Sequence, residues 1–244
     1  MNEIQNFNYM PIALIPPIEC KQNQDDSRLF ASQNVIKQNM ELIDAIENLE
    51  IKCILEPSCG SCGFISTLNQ KYSGVNITGV EKDPKIYSKI IELPLDHNGN
   101  QIHLINNDFI SLNMIKKYDL IIGAPPHFIM KKTDIDKKYY KYFNDIPNMF
   151  MLFIVKSLEM LNNNGVLSFI LPSSFLKCDY YDKLRKLINK NYKIINIADC
   201  GYDDLLETNK KNVLFIIQNI KETSCNDEFV EETNGFTIFN ARET

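Results

Sequence analysis

No apolar run in the chain reaches the roughly 18 to 20 residues that span a bilayer, which excludes a helical membrane protein and predicts a soluble chain with no membrane partner. The first residues lack the basic start and long apolar core of a secretory signal, offering only a short apolar stretch at 10–17. An intracellular protein, cytoplasmic or nuclear, is expected. There is no excess of positive charge: the formal net charge is −5, which excludes a broad cationic surface clamped on nucleic acid while allowing a local one. Seven scattered cysteines do not read as a disulfide framework. The single CxxC, Cys59 and Cys62, has no second pair of ligands nearby, so no metal site is expected. No internal repeat is apparent either.

What remains is a chain of 244 residues, 44% apolar and 23% charged, long enough to bury one α/β sheet between two helical layers. Apolar residues recur at helical spacing over 34–49 (Val35, Ile36, Met40, Leu42, Ile43, Ile46, Leu49), with Ser32 or Asn34 as the cap. A strand at 52–56 then enters a turn and a helix running to about Tyr72. The alternation continues with a strand at 76–81, a short helix at 84–91, a strand at 103–107, and a strand at 118–122 that stops at Gly123-Ala124-Pro125-Pro126. An apolar helix over 148–161 precedes Asn162-Asn163-Asn164-Gly165, which reads as a turn and helix stop. Strands at 166–171, 193–199 and 212–218, with a helix over 180–189, complete the pattern. Strands alternating with helices predict a mainly parallel sheet covered on both faces, with ligands held outside the carboxyl ends of its strands.

Three stations along the chain carry chemistry. The first strand runs into Glu56-Pro57-Ser58-Cys59-Gly60-Ser61-Cys62-Gly63, a glycine turn that lets backbone approach a ligand ahead of a helix with free N–H groups. Glu81 closes the second strand, where an acid can accept from both hydroxyls of a ribose. Asp108-Phe109 follows the third strand, an acceptor and an aromatic suited to the edge and face of an adenine. Lysines cluster at Lys131, Lys132, Lys137, Lys138 and Lys141 and again at Lys210 and Lys211, either as a solvated loop or as a nucleic-acid contact.

These stations, with Ala124-Pro125-Pro126-His127 after the fourth strand, resemble Rossmann-like S-adenosylmethionine-dependent amino-methyltransferases, most closely the gamma-class N6-adenine DNA methyltransferases. That family carries an Asn/Asp/Ser-Pro-Pro-aromatic motif at the fourth station. The likeness extends to Phe30-Ala31-Ser32-Gln33 before the first helix, to the segment 165–176, and to Lys210-Lys211 before the last strand. The resemblance implies a seven-stranded, mainly parallel methyltransferase fold over 30–221, between an N-terminal arm (1–29) and an acidic tail (222–244). It implies S-adenosylmethionine as cofactor, held by Phe30, Ser32, Glu56, Pro57, Ser58, Gly60, Glu81, Asp108 and Phe109. Ala124, Pro125, Pro126 and His127 would form the catalytic corner, and His127, Phe128, Lys131, Lys132, Lys210 and Lys211 the substrate contacts. The implied substrate is a base flipped out of DNA, ahead of RNA.

The sequence departs from the family at named positions. Ala124 lacks the side-chain acceptor that helps polarise an exocyclic amine, leaving the Pro125 carbonyl. Cys62 stands where the second glycine of the turn is usual, His127 replaces the usual stacking aromatic, and Glu207 falls where a second aromatic is expected. No target-recognition domain is expected within these residues, so specificity is expected from the loop 129–147 or from a protein partner, or is absent. Besides N6-adenine methylation, two readings stay open: a catalytically inactive methyltransferase-like subunit that binds or scaffolds, and a glutamine or other protein amino-methyltransferase.

Overall fold

The computed structural model describes residues 31–95, 98–144, 146–200 and 211–220. The expected N-terminal arm with Phe30, the segment holding Glu207 and Lys210, and the acidic tail lie outside the described residues.

The first helix, α1 (Gln33–Asp44), is capped by Ser32, whose Oγ accepts from Val35 N at 3.3 Å. It buries Val35, Ile36, Met40 and Ile43 and stops before the apolar period does. Asn48 takes a left-handed φ of 57° and turns the chain toward the sheet. Ile46, just past the helix end, and Leu49, after Asn48, pack against the same core from the connecting loop.

Strand β1 (Cys53–Glu56), helix α2 (Gly63–Lys71), strand β2 (Asn76–Glu81), helix α3 (Pro84–Ile90), strand β3 (Gln101–Asn106) and strand β4 (Tyr118–Gly123) follow. Helix α4 (Met149–Glu159), strand β5 (Leu161–Pro172), helix α5 (Asp182–Asn191), strand β6 (Lys193–Asp199) and strand β7 (Asn212–Gln218) complete the order. One sheet results, in the order β3-β2-β1-β4-β5-β7-β6, parallel except for β7, which runs antiparallel to both neighbours. The mainly parallel seven-stranded architecture expected from the sequence is the one observed.

Strand alternation splits the interior into two cores. Leu55, Val80, Ile121, Leu167, Phe169 and Phe215 face α4 and α5. Ile54, Ile77, Leu120, Ile122, Ile170 and Ile216 face α1, α2 and α3. With both faces covered, the strands read as near-continuous apolar runs.

The turn expected at 162–165 sits inside β5. Tyr118 pairs with Leu161 and Leu120 with Val166, so these residues bulge out of the ladder, and Asn164 adopts φ 62°. Asp119 fastens the bulge: its carboxylate accepts from Asn162 Nδ2 at 2.6 Å and from the Lys52 and Cys53 amides at 2.9 and 2.8 Å. The connections from β1 and β4 leave in opposite directions along the sheet, which opens a crevice at their carboxyl ends.

Candidate active site at the carboxyl ends of the strands

The crevice is built from the loop that follows β1. Cys59 N donates to Val80 O at 2.9 Å and Cys62 N to Cys59 O at 2.7 Å, which folds the loop over the end of β2. Glu81 holds it from the next strand: Oε2 accepts from Gly60 N at 2.9 Å, and Oε1 accepts from Asp83 N at 2.7 Å. Ser58 Oγ donates to Ala124 O at 3.2 Å, so the glycine loop and the Pro-Pro corner are joined directly. Gly123 leads into the corner with a backbone conformation that side chains rarely adopt, though there is room for a Cβ. Its φ is 152°, and a Cβ there would lie 3.5 Å from Glu56 Cγ.

Cys62 adopts φ 64°, so the position where the family carries glycine is left-handed here, and a residue with a Cβ occupies it. The side chain is fully buried, which rewards the cysteine with apolar contact while the backbone is strained. Helix α2 begins at once with no side-chain cap.

Glu56 is the unusual charge. It is 2% exposed, and its Oε2 has no hydrogen-bond partner among the described residues. Burial pushes its carboxyl well above the usual range, the neighbouring Cys62 and Glu81 add to this, and a hydrogen bond from the Ile65 amide at the start of α2 opposes it. Such a group is a ready acceptor for a cation, because a positive charge would remove much of the penalty of ionising it. Cys59 is likewise held as a thiol, through its hydrogen bond with Cys62 and by burial.

The third station is only partly as expected. Asp108 lies at the end of β3 with Oδ2 2.8 Å from Lys82 Nζ and Oδ1 accepting from Ile110 N at 3.0 Å. Phe109 requires a correction: its ring is 1% exposed and packs on Phe153 at 5.1 Å between centroids, so it is a core residue with no open face for an adenine. The sheet edge explains this, since beyond β3 the chain must fold back over the apolar flank of α4 to be buried.

At the corner, Pro125 is buried, Pro126 and His127 are half-buried, and Phe128 is exposed. His127 lies edge-on to Phe150, the centroids 5.5 Å apart, and Phe150 also meets Tyr181 and Phe175. Phe128 O accepts from Met149 N at 2.9 Å, and Ile129 bridges Asn148, so the start of α4 fixes the residues after the corner.

The lysines divide. Lys131 and Lys132 are exposed just beyond the corner, with Lys132 Nζ 5.0 Å from the Tyr140 ring centroid. Lys137, Lys138 and Lys141 ride on a 3-10 segment, Lys137–Tyr142, whose Tyr139 is packed into the α4 core. Lys211 is exposed at the entry to β7. Ser32 sits at the start of α1, where its Oγ is committed to the helix cap.

The sequence reading missed Lys156 and Tyr181. Lys156 donates to the carbonyls of Phe109, Ile110 and Leu112, with its ammonium 4.8 Å from the Phe109 ring centroid. Burial and the nearby Lys138 draw its pKa below the usual lysine value, while Asp108 and Glu159 oppose the shift. The signal was present as a lone lysine in the apolar run 149–158. Tyr181 had no motif to mark it, because its relation to His127 runs through Phe150.

Comparison with known proteins accounts for this arrangement. The chain is 26% identical over 203 residues to the Type II methyltransferase M.CvrRI of Paramecium bursaria Chlorella virus XZ-6E, covering 81% of this chain and 50% of the relative. It is 31% identical over 172 residues to the Type II methyltransferase M.HincII of Haemophilus influenzae, covering 67% of this chain and 31% of that one. The chain thus spans about half the length of the first of these relatives and less of the second. Among solved structures, the M protein of the Type I restriction enzyme EcoKI superposes with a TM-score of 0.62 at 16% identity, covering 80% of this chain and 44% of that protein. The type IIG restriction endonuclease BpuSI gives 0.61 at 15% identity, covering 76% of this chain and 24% of the enzyme. Both show a shared fold. The model of the Eco57I restriction-modification methylase family matches residues 64–206, from the helix after the glycine loop past the Pro-Pro corner and β6, and the chain belongs to that family.

Proposed function

We propose that the crevice binds S-adenosylmethionine and that the chain transfers its methyl group to an exocyclic amino group of a base in DNA, N6 of adenine being the favoured target. The observation that carries this reading is the bond from Ser58 Oγ to Ala124 O, which brings a cofactor-type glycine loop and an amine-type Pro-Pro corner into one crevice. Membership of the methylase family and the Type II methyltransferases among its relatives support it.

The residues present fit the cofactor. Glu56 offers a buried, unpartnered oxygen to a cationic group, and Glu81 sets a carboxylate, an acceptor group of the kind ribose hydroxyls require, against the glycine loop at the end of β2. Gly60, at φ 49°, leaves backbone open to close approach, and Asp108 presents a carboxylate for an amino edge. When bound, the sulfonium supplies an activated methyl without a metal.

This chain's residues would act on the acceptor. The Pro125 carbonyl accepts an N–H of the amine, which favours a tetrahedral nitrogen whose lone pair is free to take the methyl. His127 lies beside the base and Phe128 extends the apolar surface. The nitrogen would form its bond to the methyl as the methyl–sulfur bond breaks, and its surplus proton would pass to water. Lys131, Lys132 and Lys211, all exposed, would meet phosphates in this reading.

Ala124 favours a second reading, a methyltransferase-like subunit that binds cofactor and nucleic acid without turnover. Its methyl side chain lies in the core that faces α1 to α3 and supplies no acceptor. Losing one such group costs about 2 to 4 kcal/mol of transition-state stabilisation, on the order of a hundredfold or more in rate. The two readings separate on transfer of tritiated methyl from S-adenosylmethionine to DNA, with nucleosides identified by mass spectrometry. The enzyme reading expects N6-methyladenine and a gain of roughly tenfold or more in Ala124→Asn. Methyl-free DNA from both proteins, with cofactor bound, would establish the subunit instead.

A further inference from the structure

We propose that Lys156 is a positioning residue for the adenine of the cofactor, acting through Asp108; the proposal rests on the cofactor reading above. After β3 the chain makes one isolated helical turn. Leu112 N donates to Asp108 O at 2.9 Å, Ser111 Oγ donates to the same carbonyl at 3.1 Å, and Ile110 N donates to Asp108 Oδ1 at 3.0 Å. A single turn is unstable by itself, because nucleation fixes several dihedrals for one hydrogen bond. This one follows the edge strand of the sheet, so among the described residues no strand flanks it on the outer side.

Its later carbonyls, Phe109, Ile110 and Leu112, converge on the Lys156 ammonium, with Ile110 O at 3.0 Å. Three acceptors meet a group with three donors. A cation also belongs at the carboxyl end of a helical turn, where the peptide dipoles leave negative charge. Apolar packing of α4 does not require the charge, since Lys156 is flanked by Val155 and Ser157 in a helix of buried residues where methionine would fit. What the ammonium does require is this turn in this orientation. The turn fixes the Asp108 carboxylate through Ile110 N, and Lys82 holds its other oxygen at 2.8 Å. Lys156 thus acts on the carboxylate through the backbone of the turn, by way of the Phe109, Ile110 and Leu112 carbonyls.

The test is a double-mutant cycle read by calorimetric titration of the full chain with S-adenosylmethionine, alongside thermal melts. Lys156→Met should weaken binding roughly tenfold in the wild-type background and have no further effect in Asp108→Ala, the sign of two residues acting through one contact. Lys156→Arg, which keeps the cation and its donors, should stay within about threefold of wild type. If Lys156→Met melts below the assay temperature, Lys156→Gln keeps a donor on the turn without the charge and reads the same coupling. An unchanged affinity in a folded Lys156→Met protein, or an equal loss in both backgrounds, would overturn the proposal. Failure of the wild-type chain to bind at all would instead bring down the cofactor reading beneath it.

Discussion

Glu81→Gln separates the two tasks assigned to that side chain. In the structure the carboxylate accepts from Gly60 N at 2.9 Å and Asp83 N at 2.7 Å and is nearly buried. Glutamine keeps the shape but turns an NH2 toward one of those amides, leaving a backbone donor without an acceptor. Hydrogen bonds to a charged group contribute about 1.5 to 3 kcal/mol each, and an unsatisfied partner costs about 1 to 3 kcal/mol. A stability loss of about 2 kcal/mol follows, or roughly 4 to 8 °C in Tm for a domain of this size. If the same carboxylate also accepts from a ribose, affinity should fall by roughly 10- to 100-fold, since about 1.4 kcal/mol corresponds to a factor of ten. Calorimetry with S-adenosylmethionine measures this, and a cofactor analogue lacking the ribose hydroxyls supplies the control. The wild type should lose affinity for the analogue, whereas Glu81→Gln should scarcely distinguish the two ligands. A lowered Tm with an unchanged dissociation constant would refute the ribose contact and leave Glu81 as a brace for the glycine loop.

Glu56→Gln should stabilise the protein near neutral pH while weakening cofactor binding about tenfold. The sign follows from a carboxyl whose folded-state pKa is raised: the folded chain holds a proton that the unfolded chain has released, so wild-type stability declines as pH rises from the ordinary carboxylate range through the raised value. Melts across that range should show this slope in wild type and its loss in the variant. Cys62→Gly relieves about 1 kcal/mol of left-handed strain but removes a buried side chain of similar worth, so stability should change by less than about 1 kcal/mol, as denaturant titration will read. Lys131→Glu and Lys132→Glu should weaken DNA binding evenly across sequences and reduce the salt slope by about one each, measured by fluorescence anisotropy against salt.

Much of the fold was legible because strand burial leaves a local trace. The strands at 76–81, 193–199 and 212–218 have the expected bounds, each an apolar run closed by a polar residue. The misses share a cause in contacts distant along the chain. Periodicity carried α1 to Leu49, but the helix ends at Asp44, so Ile46 reaches the core from the turn after it and Leu49 only once Asn48 has redirected the chain. The segment 162–165 carries a turn signature and does turn, yet Asp119, more than forty residues earlier, keeps it in the sheet as a bulge. Glu56, Glu81 and the Pro-Pro corner lie at strand ends as the motifs implied, because the strand pattern had already fixed those positions. Phe109 was misplaced because an aromatic after an acid does not disclose which way the chain folds beyond an edge strand. Lys156 stood out as a lone lysine in an apolar run, but its three carbonyl partners lie some 44 to 47 positions away, so the sequence did not show what it bonds.

The most direct test is a crystal structure of the chain grown with S-adenosylhomocysteine. The nucleoside should lie between the 56–62 loop and Pro125, with its ribose hydroxyls on Glu81 and its adenine edge at Asp108. Density for the nucleoside anywhere else, or none at saturating concentration, would contradict the account.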